Sequence, residues 1–438
     1  MKPKVFSPAH SSENLAEIVC SNSFKSNLIT NACGLLKEEL RQLDSLLIKC
    51  ADETKVPAGQ ALAVDREAFS KLVSKRIEGN KNIEVIREEF TGDIEEDGIT
   101  IIATGPLTSA KMAEFISKLT GKDRLFFYDA AAPIIEKDSI DMNIAFYGDR
   151  YGKTGDSSYI NLPMNKEEYE LFYNELVNAE VVELHNFEKK EIFEGCMPVE
   201  VMAKRGIDTM RFGMLKPVGF TDPRTGVRPY ALVQLRQDNS EGNLYNMVGF
   251  QTNLKFGEQK RVFSLIPGLK NAEFVKYGVM HRNTYINSPE LLDNTYNLKG
   301  NKNIYFAGQI TGVEGYVESI ASGMVAALNS IIDFKNCRAE HCSSAQRRNN
   351  QSSSGAQCAP LYEKQNKIIF PKETIIGALA DYISTPNKNF QPMNANFGIL
   401  PELEEKIKDK HVRYEKLADK SLQNMTKIIQ NNDIFMKK

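Results

Sequence analysis

The segment that most constrains this chain runs from Asn303 to Ala327, NIYFAGQITGVEGYVESIASGMVAA. Asn303 to Ala307 is a short apolar run that reads as a strand. Gly308, Gly312 and Gly315 then open a helix carrying small residues at Ala321, Ser322, Gly323, Ala326 and Ala327. Glycines at such a turn let backbone N–H groups approach a ligand, and a helix N-terminus carries partial positive charge. A strand, a glycine turn and a small-residue helix in this order suit the second half of a flavin site, with Gly308, Gln309, Gly312, Gly315, Tyr316, Glu318 and Ser319 as its candidate residues. The first half, a Gly-rich strand–turn–helix, is not found after Met1-Lys2-Pro3.

A second strand end supports the same fold class. Gly98 to Ala103 is apolar and stops at Thr104-Gly105-Pro106. In a dinucleotide-binding sheet the turn after the carboxyl end of such a strand faces the ligand, so Thr104 and Gly105 join the candidates. Together the two segments predict an α/β chain with a Rossmann-like FAD-binding domain of the glutathione-reductase type.

Other elements follow from periodicity and composition. Leu35, Leu36, Leu40, Leu43, Leu46 and Leu47 form one stripe of a helix expected over Thr30 to Asp52. Asp65 to Lys75 reads as a helix and Ile83 to Phe90 as a strand. From Ser157 to Asn287 the texture changes to a helix over Lys166 to Val177 followed by turn-broken strands, such as Tyr230 to Arg236 and Leu244 to Gln251. This is the pattern of an α+β substrate domain inserted into the nucleotide-binding one. Lys335 to Lys367 is rich in Ser, Gln, Asn and Ala and reads as a disordered linker. Helices are expected over Lys372 to Ile383 and from Glu402 to about Ile429. The expected division is therefore 1–156, 288–334 and 368–438 for the FAD domain, 157–287 for the insert and 335–367 for the linker.

Charge and cysteine usage narrow the partners and compartment. A formal net charge of -2 gives no global pull toward nucleic acid, so RNA binding needs a local basic face. Arg211 and Lys216 lie in the Gly/Pro-shaped loop MRFGMLKPVGF, and Arg228 and Arg282 add charge to the insert. Interleaved with Phe212, Phe220 and Tyr230, these cations suit either phosphate binding with base stacking or a solvated strand face. Seven scattered cysteines suit free thiols in a reducing compartment. Cys20, before small polar residues, and Cys196, in a Gly-Cys-Met-Pro turn, are candidate reactive thiols as well as candidate filler. Cys337, His341 and Cys342 lack a partnered C-x-x-C pair, so no metal is expected. No apolar run of membrane length and no signal-peptide core is read, which makes the expected location cytoplasmic and membrane-free.

Longer motifs point to one family. They are Cys20-Ser-Asn-Ser, Phe193-Glu-Gly-Cys-Met-Pro-Val-Glu200, Arg211-Phe-Gly, Lys216-Pro-Val-Gly, Gln234-Leu-Arg-Gln237, Gly249-Phe-Gln-Thr252, Met280-His-Arg-Asn-Thr284, the Gly308 segment and Phe390-Gln-Pro-Met-Asn-Ala-Asn-Phe-Gly398. With these the chain closely resembles the bacterial folate- and FAD-dependent tRNA uracil-5-methyltransferases. The resemblance implies methylation at C5 of a T-loop uridine in tRNA. Methylenetetrahydrofolate is the implied one-carbon donor, FAD the carrier and hydride donor, and NADH or NADPH the reductant. It also implies that Cys20 and Cys196 are the working thiols, one adding to C6 of uracil and the other assisting or shielding the flavin adduct.

Family members begin with a strand, G-x-G-x-x-G and a helix, and reach a Met-Arg-Pro-like segment only afterwards. Met1-Lys2-Pro3 resembles that later segment, so the βαβ unit of roughly 30 residues is expected to be missing. Losing three charge-assisted backbone bonds at ~1.5–3 kcal/mol each would cost ~4.5–9 kcal/mol of FAD affinity. Two alternatives therefore stand beside the enzyme: an inactive homologue that only binds tRNA, and a related wobble-uridine-modifying flavoprotein.

Overall fold

The computed structural model describes residues 6, 10–90, 92, 94, 98–122, 125–150, 159–182, 197–349, 365–388 and 390–435. The side chains of 125–129, 281–282 and 338–349 lie outside that description. The chain forms two compact units, one of Met1–Asn27, Leu46–Glu89 and Phe126–Asn283, the other of Leu28–Ser45, Phe90–Leu125 and Thr284–Lys438.

The first unit is built on a six-stranded antiparallel sheet. Its spatial order is Phe274–Lys276, Ile134–Glu136, Leu244–Met247, Ala231–Gln237, Tyr159–Met164 and Phe146–Tyr147. The long central pair runs in register from Tyr159 opposite Arg236 to Met164 opposite Ala231. Ile160, Leu162, Met164, Val233, Leu235 and Met247 are fully buried with Phe172, Leu176, Phe250 and Phe263 from the neighbouring helices. One of these helices, Lys166–Asn178, starts with a capping box in which Asn165 and Glu168 satisfy each other's backbone N–H groups. A smaller sheet joins Ser23–Ser26, Ala61–Val64 and Lys55–Val56. It is followed by the helix Arg66–Glu78, capped by Asp65 through the N–H of Ala68.

The second unit holds a parallel pair, Thr100–Ile102 beside Ile304–Phe306. Among the described residues this pair is all there is of the expected Rossmann-like sheet. The helix Tyr316–Asn349 follows the second strand, and Ala32–Gln42, Ile375–Tyr382 and Lys410–Gln430 complete the unit. Glu39, fully buried, joins three of these helices. Its carboxylate accepts the N–H groups of Ile375 and Ile376 at 2.7 and 2.9 Å and the hydroxyl of Ser421 at 2.5 Å.

Several expectations need correction. The single helix over Thr30 to Asp52 is two, Ala32–Gln42 and Leu46–Glu53, because Asp44 takes a left-handed conformation with φ of 60°. Ile83 to Phe90 is not a strand; Ile83, Ile86 and Phe90 are exposed and the segment finds no pairing partner among the described residues. The final helix starts at Lys410, where Asp409 caps it, rather than at Glu402. The expected linker is helical through Asn349, since nothing between Lys335 and Asn349 is a glycine or proline that would stop the helix before it. The far end of that linker is pinned, with Asn336 exchanging two hydrogen bonds with the backbone of Gln365.

The domain limits also fall differently. The strand Ile134–Glu136 pairs with Leu244–Met247, so the passage expected at 156/157 comes at 125/126. The apolar stretch expected to be absent exists: Tyr316–Cys337 has a mean hydropathy of 1.2 and is long and apolar enough to cross a membrane by length and composition. Small and polar residues within it masked the run in the sequence. More than half of that stretch is buried inside the structure, which makes it the core helix of the second unit.

Candidate functional site

In the second unit the cofactor candidates converge. The parallel register sets Phe306 opposite Ile102, and the N–H of Ala307 donates to the carbonyl of Ile102 at 3.0 Å. Thr104-Gly105 and Gly308 therefore leave neighbouring strands at the same, carboxyl end. Gly308 combines φ of 79° with ψ of -166°, a region that only glycine occupies readily. Its N–H donates to the Ser322 hydroxyl at 2.7 Å, which ties the turn to the helix behind it. A Cβ at Gly308 or at Gly105 would meet nothing within 4 Å, so open space lies beside both turns. Thr104 shares a hydrogen bond of 2.8 Å with Thr108, whose hydroxyl also reaches the Gly105 carbonyl.

The rest of the glycine loop is clamped by the Phe390–Phe397 segment. Met393 donates to the Gly312 carbonyl and Glu314 donates to the Met393 carbonyl, both at 2.9 Å. Gly312, at φ of 84°, faces the Phe390 ring so closely that a side chain would not fit. Gln309 donates to the Glu314 carboxylate. Glu318 is buried in the first turn of the long helix, where its carboxylate accepts the Ala395 N–H at 2.9 Å. Tyr316 and Ser319 are half-buried in that same turn. Paired strand ends, open glycine turns and a following helix fit the binding of a flavin dinucleotide.

In the first unit a second constellation surrounds Cys20, a half-buried cysteine. The Arg66 guanidinium donates to the carbonyls of Ile18 at 2.9 Å and Cys20 at 2.6 Å, while its Nε is held by the Asp238 carboxylate at 2.8 Å. Buried Arg236 donates to Ser21 Oγ at 2.6 Å and to Asn22 Oδ1 at 3.1 Å. Asn22 in turn donates to the Val64 and Gln237 carbonyls. Lys276 is pushed below the usual lysine range by burial and then by Arg66, against the pull of Glu17, Asp238 and Cys20. Lys276 thus interacts electrostatically with Cys20, while Arg66 holds the main chain of Cys20 and Arg236 the side chains of Ser21 and Asn22 beside it.

The remaining candidates fare unevenly. Cys196 lies outside the described residues, but the end of its motif is anchored: Glu200 is buried and accepts the Asn253 N–H and the Thr252 hydroxyl, both at 2.8 Å. That contact joins the Phe193–Glu200 and Gly249–Thr252 motifs, and burial pushes the Glu200 carboxyl up. Arg211 is committed to the fold, stacked 3.5 Å over the Tyr230 ring and bonded to the Tyr230 carbonyl and to Asp208. Lys216 and Arg228 are exposed. Arg282 lies on the strand Met280–Tyr285, its side chain outside the description.

Sequence reasoning passed over Arg66 and Lys276 and did not connect Arg236 with Cys20. A signal was there for Arg66, because a cation in the first turn of a helix opposes the helix dipole unless its charge is used elsewhere.

Residues 1–338 match the family model described as Glucose inhibited division protein A. A methylenetetrahydrofolate--tRNA-(uracil-5-)-methyltransferase, TrmFO, of Acetivibrio thermocellus is 58% identical over 96% of this chain and 90% of its own length. Proteins of the same name from Staphylococcus saprophyticus and Enterococcus faecalis are 55% and 53% identical, over 96% and 99% of this chain and 90% and 93% of their own lengths. Among solved structures, Aquifex aeolicus GidA superposes with a TM-score of 0.59 at 14% identity, covering 95% of this chain and 70% of that one. That likeness is one of fold, and it agrees with the α/β class read from the sequence. The chain belongs to the methylenetetrahydrofolate--tRNA-(uracil-5-)-methyltransferase family.

Proposed function

We propose that this chain carries a one-carbon unit from methylenetetrahydrofolate to C5 of a T-loop uridine in tRNA and reduces it there to a methyl group. The observation that carries this reading is the 58% identity, over 96% of the chain, to a protein named for that donor and that base. FAD, when bound, supplies the carriage of the one-carbon unit and the closing hydride, with NADH or NADPH as reductant. Thr104, Gly105, Gly308, Gln309, Gly312, Gly315, Tyr316, Glu318 and Ser319 are the residues we assign to holding it.

Cys20 and Cys196 are the proposed thiols. C5 of uracil is a poor nucleophile until a thiolate adds at C6 and pushes the ring electrons onto C5. C5 then attacks the one-carbon unit. Loss of the C5 proton to a base would release the carrier from the one-carbon unit and leave an exocyclic methylene at C5, and hydride addition to that methylene would return the electron pair to the ring and expel the thiolate from C6. Arg66 fixes the Cys20 backbone, Arg236 holds Ser21 and Asn22 beside it, and Lys276 is the basic group that acts on the thiol. Lys216, Arg228 and Arg282 are the proposed phosphate contacts, and the cytoplasm is the proposed location, where tRNA, folate and pyridine nucleotide occur together.

The test has two readings from one preparation. The purified chain is loaded with FAD, dialysed and examined by visible absorbance, then assayed for methyl transfer to tRNA. A retained flavin spectrum with formation of 5-methyluridine is expected. A colourless protein that transfers nothing overturns the reading.

A further inference from the structure

Phe212 is the most exposed large apolar side chain among the described residues, at 77%. Its backbone is firmly held. Met210 beside it is fully buried, and the Gly213 N–H donates to the carbonyls of Thr209 and Met210, both at 3.1 Å. Arg211 locks the same short helix onto Tyr230. The loop that follows is tied down by Arg150, which donates to the carbonyls of Lys216 and Val218 at 3.2 and 2.6 Å.

The charge along this stretch of chain is one-sided. Between 204 and 230 the chain carries six cations and two carboxylates. Each carboxylate is already paired, Asp208 with Arg211 and Asp222 with Arg224. Lys204, Lys216 and Arg228 are exposed and make no ion pair among the described residues. The helix Val199–Ala203, which follows the Cys196 motif, leads directly into this stretch, and Met202 lies beside Gly213.

We propose that Phe212 is a stacking platform for an unpaired base of the tRNA substrate, with Lys204, Lys216 and Arg228 holding the phosphates beside it. This rests on the reading of the chain as a tRNA-modifying enzyme. A base whose C5 is to be reached must leave its stack, and an aromatic face replaces the stacking that is lost. Every base offers such a face, so the platform contributes affinity while the thiols define the chemistry. An exposed ring on a held backbone, in a stretch of chain rich in cations, matches single-stranded RNA better than it matches a neutral protein surface.

The test is equilibrium binding of a labelled tRNA transcript to the full chain, with steady-state methylation measured alongside. Phe212→Ala is expected to weaken binding about ten-fold. Phe212→Trp should restore it, and both variants should keep the wild-type melting temperature and flavin content. The salt slope should stay unchanged in Phe212→Ala and fall by about two in Lys216→Ala/Arg228→Ala. Wild-type affinity in Phe212→Ala overturns the proposal. So does a smaller sedimenting species in Phe212→Ala than in wild type, which would make the ring a contact between copies of the chain. Wild-type protein without tRNA affinity removes both this proposal and the function beneath it, whereas intact wild-type binding with an indifferent Phe212 removes only this one.

Discussion

Arg66 donates to the main-chain carbonyl of Cys20 at 2.6 Å, so the candidate thiol is held through its backbone by a residue 46 positions away. The same guanidinium holds Asp238, whose side chain is only 4% exposed. Arg66→Ala would strand that carboxylate and two carbonyls, at a cost on the order of 3 kcal/mol in folding stability. Arg66→Lys keeps the charge but cannot span three acceptors. It should unfold near the wild-type urea midpoint while losing most of its kcat. A lysine variant with full kcat would remove Arg66 from any role in positioning Cys20.

Lys276 offers a separable test of the cationic setting. Its pKa is lowered, chiefly by burial, so the folded state holds its proton less firmly than the unfolded chain. Stability therefore rises with pH as the group passes from its lowered pKa toward 10.5, and Lys276→Gln should be more stable than wild type at neutral pH. That advantage should vanish at high pH. Without the cation, the acidic limb of the kcat/KM profile should move to higher pH. An unmoved limb would show that Lys276 does not act on the thiol.

Gly308→Ala probes the flavin turn. The backbone there lies where non-glycine residues pay about 1–3 kcal/mol, and the added methyl would enter the open space beside the strand ends. Flavin retained after dialysis should drop while the tRNA affinity of the chain stays close to wild type. Equal flavin content in variant and wild type would place the cofactor elsewhere.

Glu39 predicts a pH dependence of folding. Burial pushes its carboxyl up to about 7 from an ordinary 4.5, against the opposing pull of Ser421 and the two backbone donors. The folded state therefore binds the proton more tightly. Its contribution is fully present below pH 4.5 and is lost as pH rises toward 7 and beyond. The loss is on the order of 3 kcal/mol. Urea unfolding of Glu39→Gln between pH 4.5 and 8 should lack this slope. A slope identical to wild type would assign the effect to another group.

What the sequence made legible was local. The Ile304–Phe306 strand, Gly308 and the helix after it are neighbours in the chain, so glycine chemistry and apolar periodicity were enough to read them. The helices read over Asp65 to Lys75 and Lys166 to Val177 follow the same short-range logic, and the structure forms them as Arg66–Glu78 and Lys166–Asn178. Ile83 to Phe90 had a strand-like pattern, but a strand exists only when another backbone meets it, and that information is not carried by the segment itself. The cations around Cys20 come from positions 66, 236 and 276, brought together by the folding of the first unit. The break at Asp44 was hidden because its left-handed turn is made without glycine.

The interleaving of the two units has a consequence for synthesis. A ribosome emits the chain in order, and the passages after Asn27, Ser45, Glu89, Leu125 and Asn283 alternate between units. The thiol-bearing unit has all its segments once Asn283 emerges. The strand Thr100–Ile102 must wait unpaired until Ile304–Phe306 appears, and Glu39 waits longer for Ile375 and Ser421. Nascent chains are therefore expected to mature from the thiol half toward the cofactor half. No contiguous gene fragment encodes either half alone, so a stop codon shortly after Asn283 would leave a complete first unit joined to orphaned pieces of the second.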